Sequence, residues 1–199
     1  MNKIIAIVGM PGSGKTEVAD ILAKRGFGFV RLGQLTLDEI KERGLEPTET
    51  NERQIRERIR KEHGMAAYAI LNFLKIGALL KKGGVVIDGL YSWEEYLAFK
   101  KKYGNNFCIL AVYASPSTRY QRLEKQKIDK SDKALKRRHF TIEQAKSRDK
   151  AEIENLNKGG PIAMADFTII NESTKENLKK EVENIIKNWN ALCDHGQID

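Results

Sequence analysis

Apolar positions along this chain follow two rhythms. Short unbroken runs occur at Lys3–Val8 (KIIAIV), Val85–Asp88 (VVID), Phe107–Tyr113 (FCILAVY) and Phe167–Ile170, with a weaker one at Phe27–Leu32. Runs of this length, rich in β-branched residues, predict strands buried on both faces. Between them the apolar residues recur at helical spacing. The first such stretch begins at Lys15 and runs through Val18, Ala19, Ile21 and Leu22 to Arg25, with Gly26 just past its end. A charged helical stretch covers Thr36 to Lys82, with an interior boundary at Pro47 and Asn51. Gly64 there divides ERQIRERIRKEH from the apolar MAAYAILNFLKIGALL. Ser92-x-x-Glu95, Thr141-x-x-Gln144 and Ser173-x-x-Glu176 read as capping boxes, and Pro116 sits in the first turn of another helix. Strands alternating with helices predict one α/β domain, a three-layer sandwich around a five-stranded parallel sheet. The stretches 33–82 and 127–147 read as insertions on that core.

Composition narrows the picture without changing it. The chain has 199 residues, 41% hydrophobic and 31% charged, which suits a soluble globular domain. No apolar run approaches the ~18 residues of a membrane span. The N-terminal run leads into a glycine loop without a cleavage signature, so it reads as a strand rather than a signal peptide, and a cytoplasmic location is expected. Cys108 and Cys193 are too far apart for a disulfide framework or a zinc spacing, and His63, His139 and His195 read as surface residues.

The formal net charge is +8. Its placement is informative: Arg119 to Lys150 contains 12 Lys/Arg against 5 Asp/Glu. Such a patch suits an anionic ligand, either nucleic acid or the phosphates of a nucleotide, unless it is only a solvated helix face.

The most specific feature is Gly9-Met10-Pro11-Gly12-Ser13-Gly14-Lys15-Thr16, which fits G-x-x-x-x-G-K-[ST] between a predicted strand and a predicted helix. Glycines let such a loop curl so that backbone N–H groups face phosphate oxygens, and the helix adds its positive end. Lys15 is expected on the β- and γ-phosphates and the Thr16 hydroxyl on Mg²⁺. The apolar strand ending at Asp88 supplies the second expected part, a carboxylate for Mg²⁺ or its water. ATP and Mg²⁺ are the ligands this pattern implies. Asn157-Lys158-Gly159-Gly160 lacks the Asp of a guanine-reading motif, which argues against a GTPase.

The loop GMPGSGKT resembles that of adenylate kinases and other nucleoside monophosphate kinases. Together with VVIDG, the run ASPSTRYQRL at 114–123, the pair Arg148-Asp149 and the tail ADFTIINEST at 165–174, it resembles archaeal adenylate-kinase-related ATPases of dephospho-CoA-kinase-like type. That resemblance implies that Arg119 flanks the adenine, Arg122 touches phosphate, and Arg148 contacts the transferring phosphoryl group, with Arg137 and Arg138 as further candidates. It implies that Asn171–Thr174 borders the adenine, that 127–147 is a lid over ATP, and that 33–82 binds the acceptor. Within that region Arg53, Arg56 and Arg60 share one helical face, interleaved with Glu49, Glu52, Glu57 and Glu62. They read either as acceptor contacts or as a salt-bridged surface.

Two places depart from the family pattern. Gln34 stands where an Asp is usual after the second strand, and Tyr91 where an Arg is usual after the Asp-Gly turn. No carboxylate closes the second strand, so a base for a hydroxyl acceptor would have to be Glu17, Asp38 or Asp88. This favours an acceptor that is already a phosphate anion. The readings left open are a small-molecule kinase with a nucleotide-like acceptor, a nucleic-acid-linked kinase or ATPase, and an ATP-gated binding module. Each is compatible with a monomer or a homodimer.

Overall fold

The computed structural model describes residues 3–126 and 140–192. Strands β1 (Ile4–Val8), β2 (Gly28–Arg31), β3 (Val85–Asp88), β4 (Phe107–Tyr113) and β5 (Phe167–Ile170) form one parallel sheet in the order β2-β3-β1-β4-β5. The central strand β1 pairs Ile4 with both Val85 and Phe107, and its five residues are essentially inaccessible.

Alternation along β1 divides the core in two. Ile4, Ala6 and Val8 face a layer that includes Tyr68, Ile76 and Phe99, whereas Ile5 and Ile7 face Val18, Leu22, Leu178 and Val182. The first layer is built by α4 (Ala67–Leu80) and α5 (Trp93–Tyr103), the second by α1 (Lys15–Lys24) and α9 (Lys175–Leu192). Each fully buried aliphatic side chain contributes about 1.5–3 kcal/mol of transfer free energy, which is why β1 reads as a continuous apolar run.

The region expected to bind the acceptor consists of α2 (Gln34–Glu42), α3 (Glu49–His63) and α4. Thr48 opens α3 by accepting the N–H of Asn51 at 3.3 Å. The axes of α3 and α4 diverge by 83° at the break around Gly64. Only α4 is strongly apolar, and it lies against β2 and β3, leaving α2 and α3 to form an outer wall.

The capping boxes at Ser92/Glu95 and Thr141/Gln144 both close reciprocally, opening α5 and α7 (Ile142–Leu156). Ser115 caps α6 (Pro116–Lys125). Ser173 does not cap α9. Thr174 does, accepting from the N–H of Asn177 at 3.3 Å, because the first helical bond runs from Leu178 to Thr174. Leu178 and Val182, one turn apart, lie on the buried face of this helix. A five-residue helix, α8 (Gly159–Ala163), was not anticipated. Cys108 is buried and forms no disulfide among the described residues, and His63 is exposed; Cys193, His139 and His195 lie outside the described residues. No single helix among the described residues is long and apolar enough to cross a membrane.

Candidate active site

In a parallel sheet every strand delivers its following loop to one edge, and here the sequence-predicted residues gather at that edge. Gly9–Thr16 follows β1, Asp88 ends β3, Arg119 and Arg122 follow β4 on α6, and Asn171 follows β5. Register sets the neighbours: Ile7 lies opposite Asp88, and Asp88 opposite Arg31.

The loop after β1 is held open by backbone geometry. Gly14 precedes α1 in the left-handed region (φ 103), and no side chain caps the helix. The N–H groups of the first turn therefore remain available for an anion. A Cβ on Gly14 would collide with the Asn171 amide, and one on Gly12 (φ 80) would lie 2.7 Å from the Arg119 carbonyl oxygen. Two side chains brace the loop from behind: Asn171 Nδ2 donates to the Ser13 carbonyl at 2.8 Å, and Arg119 Nη1 donates to the Pro11 carbonyl at 3.1 Å. The Ser13 hydroxyl is inaccessible and has no hydrogen-bond partner among the described residues.

Lys15 Nζ donates to the Met10 carbonyl at 3.0 Å, across the mouth of the loop. Burial, followed by the charge of Lys158, lowers its pKa from 10.5 to about 7; Asp88 and Glu152 oppose this. Crowded cations in a pocket of uncapped amides fit a polyphosphate, which would neutralise them. The Thr16 hydroxyl donates to Asp88 Oδ2 at 3.3 Å. Among the described residues no group of three or more His, Cys, Asp or Glu converges on a point. A hydroxyl and one carboxylate suit Mg²⁺, which is bound through few protein oxygens and completes its octahedron with phosphate and water.

A cavity of about 1130 Å³ opens over this loop, with Arg122, Asn171 and Thr174 also on its wall. Arg122 Nη1 is buried without a hydrogen-bond partner among the described residues. Arg119, expected beside the adenine, has its guanidinium turned inward. It is 4% exposed, bonds the carbonyls of Ala114 and Pro11, and forms two contacts with Asp149 at 3.0 and 2.7 Å. A cation fully engaged by a buried carboxylate and two carbonyls serves as a strut joining α6, α7 and the loop. Asn171 likewise spends its amide on the loop backbone.

A second cavity, of about 870 Å³, lies between α3 and α7, and Arg53, Arg56 and Arg60 all reach it. Their two sequence readings prove compatible, because each is also near a carboxylate: Arg53–Glu57 at 2.8 Å, Arg56–Glu52 at 3.1 Å and Arg60–Glu95 at 3.9 Å. Arg60 also lies 4.9 Å above the Tyr68 ring. Glu95 is inaccessible, and burial raises its pKa from 4.5 to about 7 despite the opposing Arg60 and the N–H groups of Tyr91 and Ser92.

The two cavities share Arg31, Tyr91, Phe140, Arg148 and Glu152. Arg148, expected at the transferring group, is at this seam, donating to Glu152 Oε1 at 3.0 Å with its guanidinium 5.3 Å from the Phe140 ring. Lys158 is ion-paired with Glu152 Oε2. Burial favours the neutral form of Glu152, but Lys158 and Arg148 outweigh it and hold its pKa well below the usual carboxylate range.

Sequence reasoning missed Arg31, Glu152 and Lys158, and treated Tyr91 only as a departure. The spacing of Arg148 and Glu152 on one helix was a usable signal. Nothing local marks Arg31 or Lys158. Within the segment 127–147, residues 127–139, including Arg137 and Arg138, lie outside the described residues, and 142–147 is the first part of α7.

The profile of a family described as an AAA domain matches residues 5–156. A UPF0200 protein of Thermococcus kodakarensis is 36% identical over 188 residues, 92% of this chain and 96% of that protein. A UPF0200 protein of Sulfurisphaera tokodaii is 38% identical over 187 residues, 93% and 96%. Among solved structures, a gluconokinase from Sinorhizobium meliloti superposes with a TM-score of 0.55 at 13% identity, covering 95% of this chain and 96% of that one. A shikimate kinase from Acinetobacter baumannii gives 0.54 at 16% identity, covering 94% of each. At such identities these structures establish a shared fold.

Proposed function

This chain belongs to the UPF0200 family and to the AAA-domain family, and from that premise we propose that it is an ATP-dependent phosphotransferase moving the γ-phosphoryl group of Mg·ATP to a small nucleotide-like acceptor. The observation carrying this reading is the seam: a phosphate-loop cavity and an arginine-lined cavity meet at five residues. The kinase fold of the structural neighbours supports it as analogy.

The first-turn amides of α1 and Lys15 would hold the β- and γ-phosphates, and Arg122 and Arg148 would add charge at the far side. Thr16 and Asp88 would hold Mg²⁺, which would supply positive charge to offset that of the phosphates. Alignment of two bound anions and neutralisation of the charge between them account for catalysis in this arrangement.

Glu152 bears on the choice between acceptor types. Among the described residues it is the one carboxylate that lines both cavities, and both its oxygens are occupied by cations that keep it ionised. A carboxylate stabilised in this way is a weak base for a hydroxyl. An acceptor phosphate is already ionised and needs only positioning. A nucleoside-monophosphate-like acceptor therefore fits better than the hydroxyl of a dephospho-CoA-like one. Incubation with Mg·ATP and a panel of nucleoside monophosphates and dephospho-CoA tests this. ADP release dependent on a monophosphate is expected; none above background with any acceptor would defeat the kinase reading, and release with dephospho-CoA alone would defeat the choice of acceptor.

A further inference from the structure

Helix α7 ends at Asn157, the one non-glycine residue with positive φ among those described (φ 50). Asparagine tolerates this left-handed conformation, which doubles the chain back at a helix end. The N–H of Lys158 consequently returns to the carbonyl of Glu152 at 3.3 Å. The same reversal carries the Lys158 side chain inward, where it is 1% exposed. Its ammonium is ion-paired with Glu152 Oε2 and lies 4.9 Å from the centre of the Tyr91 ring.

Burial of an ammonium is costly, and a buried ion pair made only for stability is readily replaced by apolar side chains. This pair is on the wall of the site. Lys158 lines the same cavity as Lys15, Thr16 and Asp88, and both of its partners, Glu152 and Tyr91, also line the acceptor cavity. Glu152 holds Arg148 on its other oxygen, so one carboxylate positions two cations at the seam. An ammonium has three N–H donors. Glu152 takes one and the Tyr91 ring face attracts the charge without needing a fixed N–H, leaving donor capacity for a phosphate oxygen.

We propose that Lys158 is a second phosphate-contacting lysine, held on Glu152 in the nucleotide-free protein and turned toward the γ-phosphoryl oxygens when ATP binds. The assignment rests on the nucleotide reading above and adds a residue to it. An ammonium aimed at the γ-phosphoryl group discriminates ATP from ADP, whereas a purely structural pair affects both nucleotides alike.

Calorimetric titration with Mg·ATP and with Mg·ADP tests the assignment on the intact chain, Lys158→Met, Glu152→Gln, the double variant Glu152→Gln/Lys158→Met, and Lys15→Ala. The double variant removes the carboxylate together with the ammonium and keeps an amide oxygen for Arg148; read against Glu152→Gln alone, which controls for the change at Arg148, it decides the matter if Lys158→Met does not fold. Affinity for ATP is expected to fall about tenfold or more, the size of one lost charge-assisted hydrogen bond, and affinity for ADP by less than about threefold. Equal losses for the two nucleotides, or unchanged ATP affinity in a folded variant, overturn the assignment. If Lys15→Ala abolishes binding while the ATP-to-ADP ratio of the Lys158 variants stays at the wild-type value, Lys158 alone is wrong. If Lys15→Ala changes nothing, the nucleotide reading fails and takes this assignment with it.

Discussion

The two cavities that meet at the seam are built by different means. The phosphate-loop cavity is chiefly backbone: eight consecutive residues, left-handed glycines, uncapped amides of α1, and two side chains that brace the loop through its carbonyls. The proposed acceptor cavity is chiefly side chain. Its charges come from β2, α3 and α7, and its arginines lie beside carboxylates. A backbone site binds a shape common to every nucleoside triphosphate. A side-chain site can be retuned one residue at a time while the fold is kept, which suits the half of a kinase that chooses its substrate.

On that contrast, the largest effect comes from removing a strut. Arg119→Ala would strand Asp149 in the interior and is expected to cost about 3–5 kcal/mol in denaturant unfolding. A variant of unchanged stability that loses ATP affinity but keeps affinity for inorganic triphosphate would instead return Arg119 to the adenine.

Next in size, Lys15→Ala is expected to weaken Mg·ATP binding about a hundredfold, or roughly 3 kcal/mol, by removing a buried phosphate contact. Calorimetry reads this directly, and a loss under threefold would remove the cradle from the argument.

Glu95 supplies a pH dependence beneath the acceptor cavity. Its pKa, about 7 when folded, exceeds the ordinary 4.5, so the folded state holds a proton that the unfolded chain releases. Stability from this group is therefore full below pH 4.5, falls as pH rises toward 7, and is flat above. The change is at most about 3 kcal/mol. Glu95→Gln should flatten that slope between pH 5 and 8 in urea titrations; an unaltered slope would assign it to another group.

Arg60→Ala separates the two cavities. Acceptor-dependent ADP formation should fall about tenfold, the value of one charged contact, with ATP affinity within about twofold. Equal damage to ATP binding would show that the cavities are not independent. The smallest effect is reserved for Arg53→Ala, whose exposed partner Glu57 makes the pair worth under about 0.5 kcal/mol of stability by thermal melting. A larger loss would mean that the arginine face is a structural network.

Legibility in the sequence followed the same division. Lys15, Thr16 and Asp88 could be placed because their chemistry lies in a contiguous pattern or at a strand end. Both closed capping boxes were readable for the same reason, since partners three residues apart need no tertiary information. Arg119 could be located on its helix but not oriented, because its partner Asp149 is contributed by α7. The cap of α9 moved from Ser173 to Thr174 because packing of Leu178 and Val182 set the helix phase.

By itself the sequence determined the alternation of strands and helices, the phosphate loop and the carboxylate of β3, since each is encoded by neighbours a few residues apart. The sheet order, the inward turn of Arg119, and the meeting of Arg31, Tyr91, Glu152 and Lys158 were decided only in three dimensions. Their partners are separated by up to well over a hundred residues, and which charge faces which is settled by strand pairing and helix packing rather than by any local preference.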